Sequence, residues 1–139
     1  MPESLLTPVK PSKITAPVGS GATAIPAGAC RQTSFEAATL LLGSAGANRI
    51  SGTSRAEVIV ARGGNDRVNG GSGADCLHGG SGADTLHGAA GADTLLGGPG
   101  NDMLVGGPGR DVIDCGPGRD VARAARGERV RNCERVRRS

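Results

Sequence analysis

Residues 70–78 read Gly-Gly-Ser-Gly-Ala-Asp-Cys-Leu-His, and the same pattern returns every nine residues. The next units begin at Gly79, Gly88, Gly97 and Gly106, and each fits G-G-x-G-x-D-x-U-x, where U is a large aliphatic residue. One unit has Ala89 in place of its second glycine. Five close copies in one frame indicate a solenoid of stacked units rather than an ordinary packed core.

Four weaker units extend this frame, at residues 43–51, 52–60, 61–69 and 115–123. The first two place Asn48 and Glu57 where the aspartate belongs. The other two keep the aspartate, as Asp66 and Asp120. Nine units in one register therefore cover residues 43–123.

The nonapeptide resembles the hemolysin-type (RTX) calcium-binding repeat over about 80 of the 139 residues. The resemblance implies an all-β fold, a right-handed parallel β-roll in which each nonapeptide gives a six-residue loop and a three-residue strand, with two nonapeptides per coil. Side chains alternate along a strand, so U should point into the roll. The expected core is then one column of U residues: Ile50, Ile59, Val68, Leu77, Leu86, Leu95, Leu104 and Ile113.

The resemblance also implies calcium between the loops of successive coils, held by aspartates two repeats apart and by loop carbonyls. One edge of the roll would carry Asp66, Asp84, Asp102 and Asp120, and the other edge Asp75, Asp93 and Asp111. Neighbours on each edge make about five Ca²⁺ sites. Glu57 with Asp75 and Asn48 with Asp66 would add two more, but neither pair fits the motif. Because the expected core is small, we expect calcium to order the repeats.

Several other functions are excluded or disfavoured by the sequence. A single aromatic residue, Phe35, leaves no stacking platform for nucleic acid bases or sugars, and no apolar run is long enough to span a membrane. His78 and His87 fall on opposite sheets of the expected roll, so they should not share a metal. Ser72 and Ser81 lack the context of a catalytic nucleophile. The chain is too short to add a catalytic domain, so we predict that it is not an enzyme.

The four cysteines are Cys30, Cys76, Cys115 and Cys133, and no two form a C-x-x-C pair. An even number in a small chain with a poor core suits two disulfides and an oxidising compartment. Three pairings are possible. We favour Cys30–Cys76 and Cys115–Cys133, because each would tie a flank onto the repeats, and free buried thiols are the alternative.

The flanks differ from the repeats in composition. Residues 1–33 are expected to be a disordered leader or a signal or pro-segment, and residues 34–42 a capping strand with Leu41 at U. Residues 124–139 are expected to be an Arg-rich C-terminal cap. The last 21 residues carry eight Arg against three acidic residues. They form either a solvated surface or a contact for polyanions or a cell surface.

These observations predict a small, secreted, calcium-binding β-roll without enzymatic activity. Two alternatives stay open. The roll or its Arg-rich tail could act as an adhesion or interaction module, or the chain could be the C-terminal part of a larger secreted protein.

Overall fold

The computed structural model describes residues 12–15 and 39–138, with side chains described from Leu40 onward. The strands are β1 (Ser12–Thr15), β2 (Thr39–Leu42), β3 (Arg49–Ser51), β4 (Glu57–Val60), β5 (Arg67–Asn69), β6 (Cys76–His78), β7 (Thr85–His87), β8 (Thr94–Leu96), β9 (Met103–Val105), β10 (Val112–Asp114), β11 (Val121–Ala124), β12 (Arg129–Arg131) and β13 (Arg135–Arg138). The described part of the chain has no helix, and so none that could span a bilayer.

Alternate strands build two sheets. Sheet A runs β1-β2-β4-β6-β8-β10-β12, and sheet B runs β3-β5-β7-β9-β11-β13. From β2 to β11, neighbouring strands are parallel and offset by two repeats, as in Ile59↔Leu77 and Leu86↔Leu104. The predicted all-β parallel β-roll is therefore confirmed.

The column of U residues forms the core between the sheets. Each of the eight predicted members is at most 2% exposed. Ala61, Cys115, Ala122 and Ala124 complete this cluster, with Leu41 at its N-terminal end. Successive coils approach closely because the loops carry glycine: Gly82 has a φ of 116°, and a Cβ there would run into the carbonyl oxygen of Gly64 one coil earlier.

A second apolar cluster lies on the other side of sheet A and was not predicted. It contains Leu40, Val58, Val60 and Cys76, each at most 5% exposed. In β4 both faces are buried, which fits its continuous apolar run Val58-Ile59-Val60. An outward position in this roll is therefore not always a solvent position.

The N-terminal end of sheet A departs from the rest of the roll. β1 pairs antiparallel with β2, with Ser12 opposite Leu42 and Thr15 opposite Thr39. This strand lies in residues 1–33, which the sequence predicts to be a disordered leader or a signal or pro-segment, and its four residues are paired with β2. The exposed edge of β2 explains the pairing, because its free backbone groups are a template for another strand.

The C-terminal residues continue both sheets as strands. β12 pairs with β10 and β13 pairs with β11. The predicted Cys115–Cys133 disulfide is confirmed, with Cα atoms 5.1 Å apart. Cys76 is also disulfide-bonded, but its predicted partner Cys30 lies outside the described residues.

Candidate metal centre

The seven predicted site aspartates form two columns, one along each edge of the roll. Asp75, Asp93 and Asp111 each immediately precede a strand of sheet A. The other column, immediately before strands of sheet B, is Asp66, Asp84, Asp102 and Asp120. All seven residues are at most 2% exposed. The roll therefore stacks seven carboxylates inside the protein rather than leaving them in water.

One oxygen of each aspartate binds the backbone of the preceding coil. Oδ1 of Asp84 accepts the N–H of Asp66 at 2.8 Å, and Oδ1 of Asp102 accepts the N–H of Asp84 at 2.8 Å. The same bond joins Asp93 to Asp75, at 2.9 Å. It also joins the remaining predicted pairs, Asp111 to Asp93 and Asp120 to Asp102. The structure thus brings together all five predicted pairs.

The other oxygen of each aspartate has no partner. Oδ2 of all seven residues is buried and accepts no hydrogen bond. At five of the seven aspartates a glycine leaves space beside this oxygen; a Cβ on Gly79, for example, would lie 2.6 Å from Oδ2 of Asp84. Asp66 and Asp120 have Ala61 and Cys115 at the equivalent position. Buried charged oxygens without partners are costly and rare in folded proteins. Seven of them in two columns therefore point to a cationic ligand.

Burial makes the ionised form of these carboxylates unfavourable. For Asp84 it is the main cause of a pKa raised to about 7; the N–H of Asp66 opposes the rise, and the charges of Asp66 and Asp102 add to it. Burial likewise raises the pKa of Asp75 and Asp111 to about 7 and of Asp93 and Asp102 to about 6, and it raises that of Asp66.

In the two degenerate loops at the start of the columns, the side chain at the aspartate position accepts hydrogen bonds from its own loop. Oδ1 of Asn48 accepts the N–H of Ser44 at 2.7 Å. Glu57 accepts the N–H of Thr53 at 3.0 Å and also its hydroxyl. These residues continue the columns, because their own N–H groups donate to Asp66 and Asp75. They lack the free oxygen that marks the seven aspartates.

Sequence reasoning missed one acidic residue of the sheet A column. Glu128 immediately precedes β12, as each column aspartate precedes its strand, and it is 7% exposed. It lies one position short of two full repeats after Asp111, so the nonapeptide frame passes over it. The signal that could have found it is an acidic residue directly before the strand pattern Arg-Val-Arg at 129–131.

The two histidines lie where the sequence predicts, on different sheets. His78 is in β6 of sheet A and His87 is in β7 of sheet B. Nδ1 of His78 is buried without a partner, and burial lowers the pKa of this imidazole. Across residues 12–15 and 39–138, no three His, Cys, Asp or Glu side chains converge as a transition-metal site requires.

The side-chain atoms that the columns leave free are all oxygens, the seven Oδ2 atoms. Calcium is bound by about six to eight oxygen ligands in flexible loops, whereas structural zinc sites use Cys and His. The residues present therefore fit calcium better than a transition metal.

The fold and the site together define a class of protein, a parallel β-roll with buried aspartate columns. The chain matches the family model described as RTX calcium-binding nonapeptide repeat (4 copies) over residues 51–86 and again over residues 87–122. Together these matches cover more than half of the chain, so the protein belongs to this family. No curated protein matches it.

Proposed function

We propose that this protein binds calcium through the two aspartate columns and that the ions order the roll. The observation that carries the proposal is the free, buried Oδ2 of each of the seven aspartates. Family membership supports it. About five ions would lie at the pairs Asp66–Asp84, Asp84–Asp102, Asp102–Asp120, Asp75–Asp93 and Asp93–Asp111.

The protein's own residues prepare these positions. In the folded roll each Oδ1 is held by a backbone N–H, so the side chain is oriented with Oδ2 free. In five of the seven units the position-one glycine keeps the space beside Oδ2 open, as Gly79 does for Asp84. Bound calcium supplies positive charge that offsets the repulsion within a column. Because binding needs the folded coils, its free energy stabilises the fold directly.

The direct test counts calcium ions bound by the wild-type chain and by Asp84→Asn. Asp84 belongs to two pairs, so the variant should bind two ions fewer. Asp114→Asn is the matched control, because Asp114 lies outside the columns and pairs with Arg131 across an exposed 3.4 Å contact. The control should bind as many ions as wild type. Equal calcium binding by Asp84→Asn and wild type would contradict the proposed ligands.

The proposal extends to location and domain organisation. Extracellular calcium is abundant enough for weak loop sites, and the Cys115–Cys133 disulfide suits an oxidising compartment. We therefore propose a secreted protein without enzymatic activity. Its proposed units are a leader at 1–33, an N-terminal cap at 34–42, the calcium-binding roll at 43–123 and a C-terminal cap at 124–139.

A second candidate function is the binding of polyanions on the outward face of sheet B. The six strands of this sheet contain no Asp or Glu, and five of their Arg residues are at outward positions, namely Arg49, Arg67, Arg123, Arg135 and Arg137. Arg49 is in register with Arg67 beside a cavity of about 420 Å³. Arg123 is in register with Arg137 beside another of about 660 Å³. A function as an adhesion module is therefore better assigned to the whole outward face of sheet B than to the Arg-rich tail alone.

Heparin affinity chromatography in calcium tests this second function. The double variant Arg49→Gln/Arg67→Gln should elute at lower salt than wild type, because charge-assisted contacts to sulfate are lost. The control Arg55→Gln/Arg129→Gln removes the same charge from exposed positions away from sheet B. Equal elution of the two double variants would show that only net charge matters, and it would contradict a binding face on sheet B.

A further inference from the structure

Glu128 stands at the end of the sheet A column, directly opposite Asp111. β12 pairs in parallel with β10, with Arg129 opposite Val112, so the residues before these two strands are neighbours. The N–H of Arg129 also donates to the carbonyl oxygen of Asp111, at 3.3 Å. The strand register and this hydrogen bond place Glu128 beside Asp111 at the end of the column.

Both carboxylates are buried and each has one free oxygen. Glu128 is 7% exposed and Asp111 is 2% exposed. Oε2 of Glu128 accepts the N–H of Ala125 at 2.8 Å, and Oδ1 of Asp111 accepts the N–H of Asp93 at 2.9 Å. Oε1 of Glu128 and Oδ2 of Asp111 have no partner. The arrangement repeats that of the aspartate columns, with one oxygen anchored and the other available.

No positive side chain of the described residues neutralises this pair. Arg138 is the nearest candidate in the cap, but its Nη1 donates to the backbone carbonyls of Ala125 and Glu128 instead. The salt bridge found among the described residues joins Arg131 to Asp114. Two buried carboxylates without a counter-charge are strongly disfavoured, so an ion or a shared proton must occupy the pair at neutral pH.

We propose that Asp111 and Glu128 bind a sixth calcium ion, outside the nonapeptide motif, which ties the C-terminal cap to the roll. The loop before Glu128 has three residues after β11, whereas the loop before Asp111 has five after β9. Glutamate is one methylene longer than aspartate, which suits this shorter loop. The ion would fix β12 beside the Cys115–Cys133 disulfide. The inference rests on the proposed calcium binding by the columns.

The first test compares two cap variants by isothermal titration calorimetry of the full, disulfide-bonded chain with calcium chloride. Glu128→Gln should bind one ion fewer than wild type. Glu134→Gln is the matched control, because it makes the same charge change at an exposed position of the cap, and it should bind as many ions as wild type. Equal numbers for Glu128→Gln and Glu134→Gln would overturn the inference.

A second pair of variants keeps the inference testable if Glu128→Gln folds poorly. Asp111 and Asp120 are the last aspartates of their columns, so each belongs to one motif pair. With a site at Glu128, Asp111→Asn should lose two ions while Asp120→Asn loses one. Equal losses of calcium ions in Asp111→Asn and Asp120→Asn would overturn the inference. It would also be overturned if Glu128→Gln bound as many ions as wild type and were more stable than wild type without calcium. That second result would mean that Asp111 and Glu128 share a proton and bind no ion.

Hydrogen exchange gives a readout at the cap itself. With saturating calcium, the Arg129 N–H should exchange at least tenfold faster in Glu128→Gln than in wild type and Glu134→Gln, while amides of the inner coils stay protected in all three. Equal exchange at Arg129 in all three would contradict the cap site alone. Failure of wild type to bind any calcium would contradict the proposed function as well, so the two failures are distinguishable.

Discussion

Each aspartate of the two columns uses its carboxylate oxygens in two different ways. Oδ1 is part of the hydrogen-bond ladder between coils, as in Asp84 with Asp66. Oδ2 is left free in every one of the seven loops. Replacing such a residue by asparagine keeps a ladder acceptor but removes the charge, so the two roles can be separated by experiment.

Gly79 tests whether the space beside Oδ2 is required. A Cβ there would lie 2.6 Å from Oδ2 of Asp84 and 2.9 Å from the carbonyl oxygen of Gly97. Gly79→Ala should therefore weaken calcium binding and lower the free energy of unfolding by about 1–3 kcal/mol, measured by calorimetry and urea denaturation. Gly46→Ala is the control, since nothing lies within 4 Å of its Cβ. Equal behaviour of the two variants would show that the space is not needed.

Ala89 tests the cost of a side chain in a glycine position. It occupies the second position of its repeat with a φ of 73°. A left-handed conformation costs a residue with Cβ about 1–2 kcal/mol. Glycine removes this strain, but it also increases the entropy of the unfolded chain, so only part of the strain energy appears as added stability. Ala89→Gly should raise the free energy of unfolding by about 0.5–1 kcal/mol in urea denaturation with calcium.

The neighbouring Ala90 provides the control for this substitution. Its φ is not in the left-handed region, so Ala90→Gly should only add unfolded-state entropy and destabilise the protein. If Ala89→Gly destabilised the protein as much as Ala90→Gly, the strain assigned to Ala89 would be wrong.

At the scale of strands and loops, the nine-residue period and the family resemblance it carries predicted most of the fold. The resemblance implied the strands and the pairing of aspartates two repeats apart, and alternation along each strand then predicted the buried U column from Ile50 to Ile113. These features follow from local rules, since a nine-residue unit of loop and short strand recurs without insertion from residue 43 to residue 123.

Three features of the structure could not be predicted from the nine-residue period. Glu128 falls outside it because the last loop is shorter, which places this residue one position short of two full repeats after Asp111. Burial of Val58 and Val60 on the outward side of sheet A is a tertiary feature that alternation alone does not reveal. β1 pairs through backbone groups at a sheet edge, and no side-chain pattern in Ser12–Thr15 predicts this pairing.

The Cys115–Cys133 disulfide should stabilise the C-terminal cap as an element. It joins residues separated by 18 positions, for which chain entropy predicts about 3 kcal/mol. The double variant Cys115→Ala/Cys133→Ala should lose about this much free energy of unfolding in urea with saturating calcium. The double variant leaves the disulfide of Cys76 intact, which a reducing agent would not. A loss below about 1 kcal/mol would show that strand pairing alone holds the cap.

At the scale of the whole molecule, stability without calcium should fall as pH rises. Burial raises the pKa of several column aspartates, to about 7 at Asp84 and Asp111 and about 6 at Asp93. The folded chain then holds protons more tightly than the unfolded chain, so this stability is complete below pH about 4 and is lost as pH rises through about 7. In chelator, the far-UV β signal should therefore be weaker at pH 8 than at pH 5.

Calcium should reverse this pH dependence, because the ion needs ionised carboxylates and competes with protons for them. The increase in far-UV β signal on adding calcium should therefore be larger at pH 8 than at pH 5. An increase that is the same at both pH values would contradict calcium ligation by the buried aspartates.

The central claim is that calcium, rather than packing alone, orders the roll. A far-UV circular dichroism titration of the oxidised chain tests it most directly, with magnesium as the control ion and concentration from peptide-bond absorbance because Trp and Tyr are absent. We predict a cooperative gain of β signal with calcium and none with magnesium, which is smaller and demands stricter geometry. A β spectrum already complete in chelator, or no β signal with calcium, would contradict the claim.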